Sequence, residues 1–156
     1  MGVLGHVSNE RVNLVNAPLL ATQHGLNITE QKNVSSSEYA SLLTVELNTT
    51  AGSTIIAGTS IRNQPHILRF NEYWIDIVPS GGFMLFTDHQ DRPGMIGAVG
   101  TITGKHDINV SFMEVGRLGP RGRAAMILGL DDPISKGALE ELQAIPGVDA
   151  AYLINL

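Results

Sequence analysis

Apolar and polar residues alternate in short blocks through the second half of the chain, a pattern typical of strands separated by helices. Residues 93–106 have helical spacing with Pro93 in the first turn, and Asp132 and Pro133 are typical of an N-cap followed by proline at the first helical position. The order βαββαβ predicts a ferredoxin-like α+β fold with both helices on one sheet face. The four predicted strands span residues 83–87, 108–116, 124–130 and 148–156.

The first half predicts a smaller α+β unit. Residues 12–24 have a helical pattern that Gly25 ends, and residues 79–82, Pro-Ser-Gly-Gly, form a natural hinge before the second half. The pattern therefore predicts two domains, residues 1–80 and 81–156. The other predicted elements of the first domain are strands at 28–32, 39–48, 54–59, 67–70 and 73–78, and a polar loop at 33–37.

Composition limits the compartment and the partners. The 156 residues are 43% hydrophobic and 16% charged, which suits folded domains, and the net charge of −5 argues against a nucleic-acid partner. No apolar stretch approaches 18 residues, so we expect no membrane span, and the N-terminus lacks a signal-peptide pattern. Cysteine is absent, which excludes disulfides, thiol catalysis and thiolate zinc sites. We expect a cytoplasmic location.

A polar cluster at residues 89–97 ends one predicted strand and begins a helix. Backbone N–H groups accumulate where a helix begins, and they favour anions. Asp91 adds a carboxylate, and Asn109, at the start of the next predicted strand, adds an amide. Such a pocket suits a small zwitterion because it offers partners to both charges. Two alternatives stay open: Asp91 as a helix N-cap and Asn109 as a turn residue.

The sequence offers no catalytic or metal site. No Ser/His/Asp order or carboxylate pair suggests catalysis beyond chance, and the five histidines lack short metal-ligand spacing. Gly97, Gly100 and Gly104 lie inside a predicted helix with the wrong spacing for a dinucleotide-binding turn. We interpret these glycines as tight helix–sheet packing and expect no cofactor in this chain.

Two groups of motifs resemble known domains. Residues 89–94, 97–102, 108–110 and 113–117 resemble the effector loop, first helix and second strand region of an ACT domain, a small regulatory module that binds amino acids. The first half resembles the intervening domain of long-form D-3-phosphoglycerate dehydrogenases, which lies between the catalytic core and the ACT domain; the matching residues are 12–21, 57–59 and 71–76. The resemblance covers nearly the whole chain and includes no catalytic or nucleotide-binding domain.

The resemblance implies a regulatory role in serine biosynthesis. In this family the effector lies between the first-strand loop and the start of the second strand, commonly at a dimer interface. We therefore expect L-serine or a similar amino acid as effector and a homo-oligomer, dimer or tetramer, that covers the exposed sheet edge. NAD would serve only the missing catalytic domains. Carried over by motif, the effector-binding residues are His89, Asp91, Pro93, Gly94 and Asn109.

The resemblance also implies a second, anion-binding site in the intervening domain. The candidate residues are Arg62, His66 and Arg69, while Trp74 stands where many relatives have a basic residue. We favour a solvated charged face for these residues.

Two other functions stay open. One is the β-type subunit of an iron–sulfur L-serine dehydratase, although its Ser-rich, His-containing segment is not seen here. The other is a pure oligomerisation module with a vestigial effector site. Ligand-induced stabilisation separates a binder from such a module.

Overall fold

The computed structural model describes residues 2–5, 8, 10–32, 39, 41–79 and 82–156. The chain divides into two compact units, Met1–Ser36 and Ser37–Leu156. The domain boundary predicted at residues 80 and 81 stays a prediction. The predicted polar loop at 33–37 and two of the four hinge residues lie outside the described residues.

The first unit contains helices α1 (Gly2–Gly5) and α2 (Ala17–Gln23) around buried Leu4, Leu20 and Ala21. Helix α2 confirms the second part of the predicted helix only. It starts late because the Asn13 side chain accepts bonds from the N–H groups of Val15 and Asn16, which fixes a turn there. The strand predicted at 28–32 is wrong, since those residues form no strand.

The second unit begins with an antiparallel meander. Its strands, in the sheet order β1-β2-β3-β4, are β1 (Leu43–Thr49), β2 (Gly52–Ile61), β3 (Gln64–Phe70) and β4 (Tyr73–Ile77). The four strands predicted at residues 39–48, 54–59, 67–70 and 73–78 are confirmed with shifted ends. The hairpin between β2 and β3 was not predicted. It turns at Arg62 and Asn63, whose φ angles of 52° and 64° are both positive, as a tight two-residue turn between twisted strands requires.

The remaining elements confirm the predicted βαββαβ order. They are β5 (Phe83–Gln90), α3 (Met95–Lys105), β6 (Val110–Arg117), β7 (Arg123–Leu130), α4 (Lys136–Gln143) and β8 (Val148–Asn155). The sheet order is β6-β7-β5-β8 with all neighbours antiparallel, so β6 and β8 are its edges within the described residues. The helix start predicted at Asp132 is wrong. Ser135 is the N-cap of α4, and its Oγ accepts a bond from Ala138 N at 3.2 Å.

Both faces of this second sheet are covered. Val99 and Leu142 of the two helices pack on one face, around Leu85 of β5. Strand β4 alternates buried and exposed residues, and its buried side chains pack on Phe86 and Ile127 of the opposite face. The first sheet therefore lies against the face of the second sheet that the helices leave open.

Candidate effector-binding site

The loop after β5 is fixed by bonds to two other loops. Gln90 N donates to Gly147 O at 2.7 Å, and Asp91 N donates to Gly122 O at 2.8 Å. The Arg92 guanidinium donates to the Pro146 carbonyl oxygen. The loop that carries the predicted site residues is therefore anchored before any ligand binds.

The Asp91 carboxylate faces two basic residues. It accepts bonds from Arg117 Nη1 at 3.3 Å and from Arg121 N at 3.2 Å, and its side chain stays 23% exposed. The N-cap position of α3 is occupied by Gly94, with φ of 90°. The N-capping alternative for Asp91 is therefore wrong, because its side chain turns towards the β6–β7 loop.

Pro93 and Gly94 form the turn into α3. The bond from Ala98 N to Gly94 O at 2.8 Å is an i→i−4 bond of the first helical turn. The N–H groups of Ile96 and Gly97 lie before the first residue that bonds to a helix carbonyl. Because the helix gives them no acceptor, these two N–H groups can bind an anion.

The predicted packing of the α3 glycines is wrong. Gly97, Gly100 and Gly104 are exposed, and a Cβ added to each would have no atom within 4 Å. The buried side of the helix is formed by Met95, Val99 and Thr103. The glycines instead make a smooth outer side of α3 that begins next to the Asp91 loop.

Asn109 lies at the opposite end of the sheet from Asp91. Both β5 and β6 are antiparallel to β7, so they run in the same direction. The start of β6 therefore lies by the start of β5, about seven strand residues from the Asp91 end, a distance of roughly 20 Å. Within one chain, Asp91 and Asn109 do not line a common pocket. Asn109 Nδ2 donates to Asp131 Oδ2 at 2.6 Å.

His89 is buried beneath the loop, with 1% of the residue exposed. Its Nδ1 lies 3.3 Å from Thr87 Oγ1. Burial lowers the pKa of His89 from its ordinary value of 6.5, because the charged ring would lose its hydration. The neutral ring is thus the favoured form at pH 7, and it supports the loop from inside.

The three predicted anion-binding residues do not converge. Arg62 is exposed in the β2–β3 turn, and Arg69 lies at the far end of β3. His66 Nδ1 lies 2.6 Å from Asp76 Oδ1, so its ring already has a partner. The Arg69 guanidinium instead stacks on Trp74, 5.8 Å from the ring centroid.

Three residues at the two ends of the site were not predicted: Arg117, Arg121 and Asp131. They lie 22 to 30 residues from their partners along the chain. The cluster of three arginines at positions 117, 121 and 123 was the one available signal.

Among the described residues, no helix is long and apolar enough to span a membrane.

Family comparisons place both halves of the chain. Residues 1–71 match the family model of the D-3-phosphoglycerate dehydrogenase intervening domain, and residues 83–147 match that of the ACT domain. Both resemblances found from the sequence motifs are thereby confirmed.

Two similar proteins are both named D-3-phosphoglycerate dehydrogenase. The chain is 37% identical to a D-3-phosphoglycerate dehydrogenase of Synechocystis sp. over 99% of its length, and 37% identical to that of Archaeoglobus fulgidus over 97%. It spans only 28% and 29% of these relatives. A solved structure, the C-terminal domain of the MgtC protein from Mycobacterium tuberculosis, matches 51% of this chain and 94% of its own at 17% identity. Its TM-score of 0.39 is too low to support a conclusion.

The two family models account for both halves of the chain, in the order that the sequence motifs indicated. The chain therefore combines a D-3-phosphoglycerate dehydrogenase intervening domain with an ACT domain, and it corresponds to a C-terminal regulatory region of the relatives that it matches.

Proposed function

We propose that this chain binds L-serine, or a similarly small amino acid, between the ACT domains of two copies and thereby modulates the catalytic domains of a D-3-phosphoglycerate dehydrogenase. The observation that carries the proposal is the placement of Asp91 and Asn109 at opposite ends of one sheet. We call the Asp91 loop with the start of α3 one half-site and Asn109 the other. Because the two half-sites lie at opposite ends of one sheet, they can meet only when a second copy of the chain is present.

The edge strand β6 offers the required pairing. If two β6 strands pair antiparallel about a two-fold axis, the start of each lies beside the end of the other. Arg117 ends β6 and bonds to Asp91, so Asn109 of the second copy would come next to the Asp91 loop. Pairing along β8 would leave Asn109 distant, because β7 and β5 lie between β8 and β6.

The assembled pocket would have a partner for each charge of an amino acid. The Asp91 carboxylate would accept a hydrogen bond from the ligand ammonium, while Arg117 Nη1 and Arg121 N hold the Asp91 side chain in place. The free N–H groups at the start of α3 would receive the ligand carboxylate. Asp131 accepts from Asn109 Nδ2, which leaves Asn109 Oδ1 to accept from the ammonium or hydroxyl group.

Regulation by this site requires the effector to bind one arrangement of the assembly more tightly than another. We propose a homodimer or tetramer in the cytoplasm, with NAD bound only by catalytic domains outside this chain. The relatives described above are D-3-phosphoglycerate dehydrogenases, which favours that enzyme over an L-serine dehydratase as the owner.

A thermal-shift panel of the common amino acids tests the proposal. At about 100 times its dissociation constant, L-serine should stabilise the folded chain by roughly 2.7 kcal/mol. Asp91→Ala and Asn109→Ala should each remove most of the shift while the chain stays folded.

Asp132→Ala is the matched control for Asp91→Ala, since Asp132 is an exposed carboxylate outside both half-sites, and the shift should persist in it. If no amino acid raises the melting temperature, the chain is an oligomerisation module. If both site variants keep full binding, the proposed residues are wrong.

A further inference from the structure

A cleft that neither half-site uses lies between the two sheets of the second unit. Its volume is about 440 Å³, within the usual range for small-ligand pockets. The charged residues that line it are Arg69 and Glu72 of the first sheet and Asp88 and Arg123 of the second.

Two of these four charges neutralise each other. Arg123 Nη2 bonds to Asp88 Oδ2 at 2.6 Å, and Tyr73 Oη donates to Asp88 Oδ1 at 2.9 Å. The bond to Asp88 raises the pKa of the Arg123 guanidinium, and burial raises the pKa of the Tyr73 hydroxyl. Asp88 is thus already bonded to a guanidinium and to a hydroxyl donor within the lining of the cleft.

Arg69, unlike Arg123, is not paired with a carboxylate among the described residues. Its Nε donates to Asn71 O at 2.5 Å, and its guanidinium lies over the Trp74 ring. Among the described residues, its two terminal nitrogens bond to no acceptor and it forms no ion pair. A guanidinium fixed along one edge with its other edge open is prepared to take a carboxylate by two parallel bonds.

The turn that carries Arg69's anchor is itself held in place. Asn71 has φ of 51°, its N donates to Ile55 O at 2.7 Å, and its Oδ1 accepts from Ile55 N at 2.9 Å. Glu72, next in the same turn, has no ion-pair partner in the described part of the chain. The cleft therefore offers one unpaired cation and one unpaired anion, and its lining charges sum to zero.

We propose that this cleft binds a small α-amino acid, with the ligand carboxylate on the Arg69 guanidinium and the ligand ammonium facing Glu72. A zwitterion matches this charge pattern. A phosphate or a dicarboxylate does not, since Glu72 would repel the second negative charge. The site lies within one chain and needs no second copy, so it is independent of the proposed interface site.

Trp74 is the only tryptophan of the chain and therefore reports on Arg69 directly. We would titrate L-serine and glycine into the Asp91→Ala chain, in which the interface site is disabled, and follow tryptophan fluorescence. A saturable change through the millimolar range is expected, with inorganic phosphate and acetate at least about tenfold weaker. No saturable change with either amino acid, or tighter binding of phosphate, would overturn the proposal.

Variants assign the binding to Arg69. Arg69→Gln should weaken L-serine binding at least about tenfold by amide NMR shifts, and Arg69→Lys several-fold because a lysine cannot bind a carboxylate bidentately. Arg62→Gln, the same change at an exposed turn, should leave binding unaltered. Equal affinity in the Lys variant and the unsubstituted chain would contradict the assignment even if Arg69→Gln does not fold. At L-serine concentrations that saturate the fluorescence change, Asp91→Ala should keep only the part of the thermal shift that Arg69→Gln removes, which separates the two sites.

Discussion

His89 and Asp91 lie two residues apart at the end of β5 and differ in what surrounds them. His89 is enclosed under the loop, whereas Asp91 is part-exposed and held between Arg117 and the β6–β7 loop. The histidine therefore contributes to the pH dependence of folding, and the aspartate contributes the charge that a ligand ammonium would meet.

Replacing His89 with Gln should flatten the pH dependence of stability. Its folded pKa lies below the unfolded value of 6.5, so the unfolded chain binds a proton that the folded chain rejects as pH falls. The free energy of unfolding should therefore decrease from about pH 7.5 to about pH 5.5, and decrease less in His89→Gln. Urea denaturation at the two pH values measures the difference.

The matched control for this variant is His24→Gln, because the His24 side chain is exposed. Its pH dependence should equal that of the unsubstituted chain. A slope in His89→Gln that matches the control would show that this histidine titrates alike in both states.

At the scale of elements, the start of α4 shows how two cap signals compete. Asp132 precedes a proline and Ser135 follows it by two residues, and both residue types cap helices well. The structure uses Ser135, which has an extended backbone, and its hydroxyl bonds to Ala138 N three residues on.

Ser135→Ala should therefore lower stability by about 1 kcal/mol, because one N–H of the first turn loses its acceptor. Asp132→Ala, at the position that the sequence favoured, should change stability by less than about 0.5 kcal/mol. Chemical denaturation of both variants distinguishes the two caps. Equal losses would contradict the assignment of Ser135.

The element order of the second half followed from its blocks of apolar residues, and the central strands β5 and β7 are buried along nearly their whole length. The tight turns and the hydrogen-bond partners of the site residues were harder to predict from the sequence. The β2–β3 hairpin turns on Arg62 and Asn63, which lack the glycine that marks most tight turns. The polar partners of Asp91 and Asn109 come from other strands and loops, and no local pattern in a single sequence encodes contacts over 22 to 30 residues.

At the scale of the whole second unit, β4 is the link between its two sheets. A Cβ on Gly116 of β6 would lie 3.0 Å from Ile75 Cγ2 and from Trp74 O, so the two strands approach closely. The same edge strand β6 also ends at the Asp91 loop. A change in β6 pairing on effector binding would therefore act directly on the first sheet.

The central claim is that each effector site combines residues of two copies, and mixed variants test it most directly. The Asp91→Ala and Asn109→Ala chains would be refolded separately and as an equimolar mixture, all carrying Arg69→Gln so that the inter-sheet cleft does not contribute. L-serine stoichiometry would then be measured by equilibrium dialysis.

Each variant alone should bind no L-serine. In a randomly paired mixture, half of the dimers are mixed and each retains one intact site of two, so about one quarter of the original sites should return. A mixture that binds no more L-serine than either variant alone, while the unsubstituted interface binds it, would contradict a site shared between two copies.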